Sequence, residues 1–144
     1  EAHNNLGITL QALGNLDYAE ASYRQAIALK PDFAEVRSNL GIILQRLGRL
    51  NEAEASYRQA TALKPSLALA HQQLGITLYL KGDIDSALIT MARANRINPN
   101  SKSVPLLLSF FRSQKSSKKS KLGVDKVGSL ARLNARPLIL NRVI

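Results

Sequence analysis

The sequence contains no cysteine among its 144 residues. Disulfides, thiolate zinc sites and cysteine nucleophiles are therefore excluded, although a cysteine-free chain suits any compartment. Long apolar runs are missing too. The longest lies in VPLLLSFF (104–111), far short of the roughly 20 residues that span a bilayer. No signal-peptide pattern opens the chain. Acidic residues are scarce in one region only. Residues 1–101 hold ten Lys/Arg and nine Asp/Glu, a net of +1, whereas 102–144 hold ten Lys/Arg and Asp125 alone, a net of +9. The overall charge of +10 thus belongs to the tail, and the body is almost neutral. Glycine is scarce as well, and its placement is informative. Of eight glycines, six fall in two slots that recur every 34 residues.

What is present is repetition. EASYRQAIALKP starts at Glu20 and EASYRQATALKP at Glu54, with eleven of twelve letters in common. A third copy keeps the register: Leu6-Gly7, Leu40-Gly41 and Leu74-Gly75; Gly14, Gly48 and Gly82; Ala19, Ala53 and Ala87; Ala26, Ala60 and Ala94; Pro31, Pro65 and Pro99. The aromatic slot holds Tyr23, Tyr57 and Met91. Such a period marks a stack of supersecondary units. Each unit reads as two helices. The first carries Leu6, Ile8, Leu10 and Leu13, or their equivalents, and ends at Gly14, Gly48 or Gly82, residues able to take positive φ. Asp17, Asn51 and Asp85 are expected to cap the second helix, with Glu20 and Glu54 at capping-box spacing. Proline then closes each unit, and Asp32, Ser66 and Asn100 are expected to cap the next.

Gly7, Gly41 and Gly75 sit inside the first helices, where glycine costs about 1 kcal/mol relative to alanine. The expected offset is close approach of a partner helix, with Ala19, Ala26 and their equivalents as its small surface. Tyr23 and Tyr57 are expected to fill gaps between adjacent repeats. One helix pair cannot bury its apolar face alone, so the stack completes the core.

This pattern resembles the tetratricopeptide repeat (TPR) family. The resemblance is carried by Leu40-Gly41, Leu44, Gly48, Ala53, Tyr57, Ala60 and Pro65 with their equivalents, and it covers residues 1–101. The usual tryptophan slot departs from the family and holds His3, Arg37 and His71. The resemblance implies an all-α fold, a right-handed α-solenoid of antiparallel helix pairs with a concave groove. The repeats would span 1–33, 34–67 and 68–101, followed by a degenerate fourth copy at 102–114 acting as a capping helix. It also implies that the first helices line the groove. By register the groove residues are Asn5, Ile8 and Gln11; Asn39, Ile42 and Gln45; and Gln73, Ile76 and Tyr79, flanked by Asn4, Ser38 and Gln72. An amide offers donors and an acceptor that match a peptide unit. The family's chaperone-binding members share a carboxylate clamp of Lys and Asn. Here the clamp slots hold Asn4, Ile8, Ser38 and Ile42, so capture of acidic chaperone tails is not expected.

No catalytic constellation or phosphate loop stands out, and neither a cofactor nor a metal is expected. His3 and His71 lie two repeats apart and read as packing residues. Residues 115–134 read as a flexible basic linker. Lysines within 112–126 offer a weak polyanion site for nucleic acid or anionic membrane, without aromatics for base stacking. The apolar segment 135–144 reads as the start of a downstream domain. Because Glu1 already falls inside a repeat, a fragment of a longer chain is expected. The resulting reading is a non-catalytic, protein-binding scaffold, with the cytoplasm as the expected compartment. The alternative is the front end of a bacterial enzyme whose catalytic domain lies beyond Ile144: a glycosyltransferase, a sulfotransferase or an iron- and 2-oxoglutarate-dependent oxygenase.

Overall fold

A computed structural model describes residues 1–118. Most of the expected linker and the whole of 135–144 lie outside the described residues. Among the described residues seven helices follow one another: α1 (Ala2–Ala12), α2 (Leu16–Leu29), α3 (Ala34–Arg46), α4 (Leu50–Leu63), α5 (Ala68–Leu80), α6 (Ile84–Ile97) and α7 (Ser103–Lys118). Among the described residues there is no strand. The chain is an all-α solenoid. Each of α1–α2, α3–α4 and α5–α6 packs as a pair, and successive pairs stack through α2–α3, α4–α5 and α6–α7.

The turn inside each pair has a common cause. Gly14, Gly48 and Gly82 have φ of 80°, 77° and 90°, a conformation that glycine takes without the penalty of a Cβ. The left-handed turn lets the Gly14 N–H donate to the Gln11 carbonyl (3.1 Å) and the Asn15 N–H to the Leu10 carbonyl (2.9 Å). Gly48 and Arg49 repeat this on Gln45 and Leu44, and Gly82 and Asp83 on Tyr79 and Leu78. This paired closure satisfies the carbonyls at the helix end. It consumes a single residue after the glycine. The second helices are therefore capped two residues earlier than the caps expected at Asp17, Asn51 and Asp85. The N-cap positions are Asn15, Arg49 and Asp83, and of these only Asp83 caps with its side chain, its carboxylate accepting from the Ser86 N–H at 3.1 Å. Likewise Phe33 and Leu67 precede α3 and α5 without a side-chain cap, so Asp32 and Ser66 do not perform that role.

Glu20 and Glu54, freed from capping boxes, tie repeats together. Glu20 meets Arg24 at 2.8 Å in its own helix and Arg49 at 2.7 Å at the start of α4. Glu54 meets Arg58 at 2.8 Å and, across the next junction, Lys81.

The mid-helix glycines are explained differently from expectation. A Cβ on Gly7 or Gly41 would lie 2.5 Å or 2.6 Å from the ring of Tyr23 or Tyr57. Each tyrosine is wholly buried and packs its ring against the glycine of its own repeat. At Gly75 the nearest atoms are instead the Met91 tip and the Ala87 carbonyl oxygen, so an alanine of the second helix is among the closest neighbours. Stacking completes the core as expected. Leu40 and Leu74 are each 5% exposed under the preceding helix pair, whereas Leu6 in the same slot is 50% exposed.

The former tryptophan slot also ties repeats together. The Arg37 guanidinium donates to the Pro31 carbonyl from Nε (2.9 Å) and Nη2 (2.7 Å). His71, buried, places Nε2 2.9 Å from the Pro65 carbonyl. Helix α7 runs past residue 114, where a helix was expected to end, to Lys118. Lys115 pairs with Asp85 of α6 at 2.6 Å in this extension.

Candidate functional site

The first helices carry the nine groove candidates, and the structure grades their accessibility along the stack. In α1, Asn5 and Ile8 are exposed and Gln11 is half-buried. In α3, Asn39 and Ile42 are half-buried and Gln45 is buried. In α5, Gln73 is half-buried, and Ile76 and Tyr79 are buried. Within the isoleucine slot, exposure falls from 48% at Ile8 to 4% at Ile76.

The amides are bonded to one another and to the core. Asn39 Nδ2 donates to Asn4 Oδ1 at 3.3 Å, a rung between adjacent repeats. The Tyr23 hydroxyl donates to Gln11 Oε1 at 3.0 Å, and the Tyr57 hydroxyl to Gln45 Oε1 at 3.1 Å. Burial pushes the Tyr23 phenol up to about 12 and the Tyr57 phenol higher still, so both stay protonated donors. Gln11 and Gln45 therefore have their acceptor oxygens committed to the core, leaving the Nε2 groups uncommitted. Gln45 Nε2 is buried, with no partner among the described residues.

Tyr79 closes the other end. Its ring stacks on Phe111 with centroids 4.4 Å apart and planes 4° from parallel. Phe110 lies 5.7 Å from it, tilted by 55°. Burial raises the Tyr79 phenol too. Helix α7 thus covers the third repeat's end of the first-helix face. What remains accessible is a strip of Asn5, Ile8, Asn39, Ile42 and Gln73, polar and apolar by turns. The sequence signal for the covered end is the Phe110-Phe111 pair, which stands where earlier copies have no aromatic. No group of three or more His, Cys, Asp or Glu side chains able to hold a metal exists among the described residues. Nor is any described helix long and apolar enough to cross a membrane.

The comparisons with known proteins agree with this architecture. Two tetratricopeptide repeat family models match residues 1–66 and 43–102. The chain belongs to the tetratricopeptide repeat family. Among solved structures, it is similar to the first TPR domain of Spaghetti (RPAP3) bound to the HSP90 peptide SRMEEVD. The two share 20% identity at a TM-score of 0.79, over 81% of this chain and 92% of that one. It is also similar to an O-GlcNAc transferase mutant of Thermobaculum terrenum, with 23% identity and a TM-score of 0.73. That match covers 76% of this chain and 21% of the enzyme chain. At these identities the likeness is one of fold. No curated protein sequence matches the chain.

Proposed function

We propose that this chain is a non-catalytic scaffold that binds an extended peptide or partner segment along the first-helix face. The observation that carries this reading is the accessible strip of Asn5, Ile8, Asn39, Ile42 and Gln73, held in register by the Asn39–Asn4 bond. An amide row reads main chain, because each side chain can serve a peptide N–H and a peptide C=O. Isoleucines between the amides bury the partner's side chains. A chaperone-type acidic tail does not fit. The SRMEEVD peptide bound by the Spaghetti domain is acidic, while Ile8 and Ile42 here offer no cation to it.

The test is a displayed library of extended peptides, with winning sequences titrated by fluorescence anisotropy. Enriched peptides are expected to weaken tenfold or more, roughly, in Asn5→Ala/Asn39→Ala, from two lost hydrogen bonds. SRMEEVD is expected to leave the backbone amides of Asn5, Asn39 and Gln73 on that strip unshifted in an NMR titration. A library without enrichment, or winners indifferent to the double variant, overturns the reading. A second reading is favoured by the partial match to the transferase: the array presents substrates to a catalytic domain that follows it in a longer protein. Reading the coding sequence past Ile144 decides it, since a stop codon there removes the idea.

A further inference from the structure

On the second-helix side, α2 and α4 lie over α3 with a cleft of about 390 Å³ between them. Its floor is Leu40 and Leu44, both buried, and its walls include Ile27 and Ala55. Arg24, Arg37, Glu52 and Gln59 form the rim. The cations of the rim are not equivalent. Arg24 is matched by Glu20 at 2.8 Å and Glu52 at 3.5 Å. Arg37 has neutral partners alone, the Pro31 carbonyl and Gln59 Oε1, the latter at 2.6 Å. It forms no ion pair among the described residues. Around the cleft, Arg24, Arg37 and Arg49 face Glu20 and Glu52, so three positive charges meet two negative ones.

Repetition does not account for this cleft. One period on, Ala55 becomes Ile89, Ile27 becomes Thr61, Arg37 becomes His71 and Gln59 becomes Arg93. The small wall residue and the uncompensated arginine thus occur together at the first junction and not at the second.

We propose that this cleft is a second binding site, distinct from the amide strip, for an acidic peptide segment. One large apolar side chain enters the cleft, and a neighbouring carboxylate of the same segment pairs with Arg37. The volume suits such a group, since ligand sites begin at about 300 Å³. The floor supplies apolar burial. A guanidinium now spent on a neutral amide gains a charge-assisted, forked bond to the carboxylate. That one surplus positive charge selects an acidic partner over a basic one.

N-acetyl-L-phenylalanine carries both features, and N-acetyl-L-phenylalaninamide lacks the carboxylate. Each is titrated into the full chain by heteronuclear NMR at about pH 8, where an imidazole is neutral. The carboxylate is expected to shift backbone amides of Ile27, Arg37, Ala55 and Gln59. The amide is expected to bind about fivefold more weakly, as one partly exposed ion pair implies. Arg37→His and Ala55→Ile place at this junction what the next one carries naturally, so both are expected to fold with unchanged helical signal. Arg37→His should remove the preference for carboxylate, and Ala55→Ile should weaken both probes. Equal affinity for the two probes, shifts centred on Asn5 and Asn39, or undiminished binding by the folded variants overturns the proposal.

Discussion

Replacing Gly41 with alanine sets two effects of known sign against each other. Inside a helix, alanine is favoured over glycine by about 1 kcal/mol, so a neutral environment would make Gly41→Ala stabilising. The environment is not neutral. The new methyl would sit 2.6 Å, 2.8 Å and 2.9 Å from Cε1, Cζ and Cδ1 of Tyr57, well inside van der Waals contact. The ring has nowhere to go, since Tyr57 is wholly buried and its hydroxyl is held by Gln45 at 3.1 Å. Overpacking of this kind costs about 1–3 kcal/mol, and a ring fixed at both ends belongs near the top of that range. The net expectation is a loss of about 2 kcal/mol, or about 8 °C in Tm for a chain of this size. Gly75→Ala is the internal control. There the nearest atom is the flexible tip of Met91, Cε at 3.1 Å, with the Ala87 carbonyl oxygen at 3.3 Å. It should remain within about 1 kcal/mol of wild type, because the propensity gain offsets a small displacement. Circular dichroism melts of both variants, of Tyr57→Met and of Gly41→Ala/Tyr57→Met read the contrast. Tyr57→Met alone is destabilising because it strips Gln45 of its partner, but adding Gly41→Ala to it should cost less than adding Gly41→Ala to wild type, a coupling expected only of residues in contact. A Gly41→Ala protein that melts at or above wild type, or falls no further than Gly75→Ala, refutes the steric account.

Leu40→Ala should cost about 2–5 kcal/mol, while Leu6→Ala in the same slot should cost less than about 1 kcal/mol, since half of Leu6 is already in water. Urea midpoints compare the two. Tyr57→Phe should cost about 1–3 kcal/mol, because it strips a buried amide of its partner. Tyr23→Phe should cost less, because the half-buried Gln11 can turn to water. Burial holds the His71 imidazole below its ordinary value of 6.5, only partly offset by the Pro65 carbonyl. Below 6.5 the unfolded chain therefore binds a proton that the folded one resists. This contribution to stability is complete above that pH and is lost as the pH falls toward the folded value. Between about pH 8 and about pH 5, wild type should lose more stability than His71→Gln, and parallel profiles would argue against a neutral, buried imidazole.

The helix pairs and their stacking were legible because each signal is local and recurs: the glycine that turns left-handed, the proline that stops the helix, the leucines in register. The start of each second helix was not legible from cap chemistry. A glycine turn that closes on Leu10, Leu44 or Leu78 leaves room for one residue, so backbone geometry overrode the preference of Asp17, Asn51 and Asp85 for capping. The partner of the mid-helix glycines was half legible. A missing Cβ announces close approach, yet the letters do not say whether an alanine or an aromatic ring arrives. Groove accessibility was hidden for a related reason, since repeat register treats Ile8, Ile42 and Ile76 as equals and says nothing of what covers the last. One departure in the third copy explains both. In the first two repeats a buried tyrosine hydroxyl donates to a glutamine on the facing helix, Tyr23 to Gln11 and Tyr57 to Gln45. In the third, the donor slot holds Met91 and the acceptor slot holds Tyr79. With no hydroxyl arriving, an amide there would have been a buried acceptor without a partner, which costs about 1–3 kcal/mol. An aromatic ring avoids that cost, and it stacks on Phe111 of α7. The loss of the tyrosine–glutamine pair and the arrival of Phe110-Phe111 thus belong to one packing solution. It ends the amide strip after Gln73 and replaces polar register with an aromatic seal against α7.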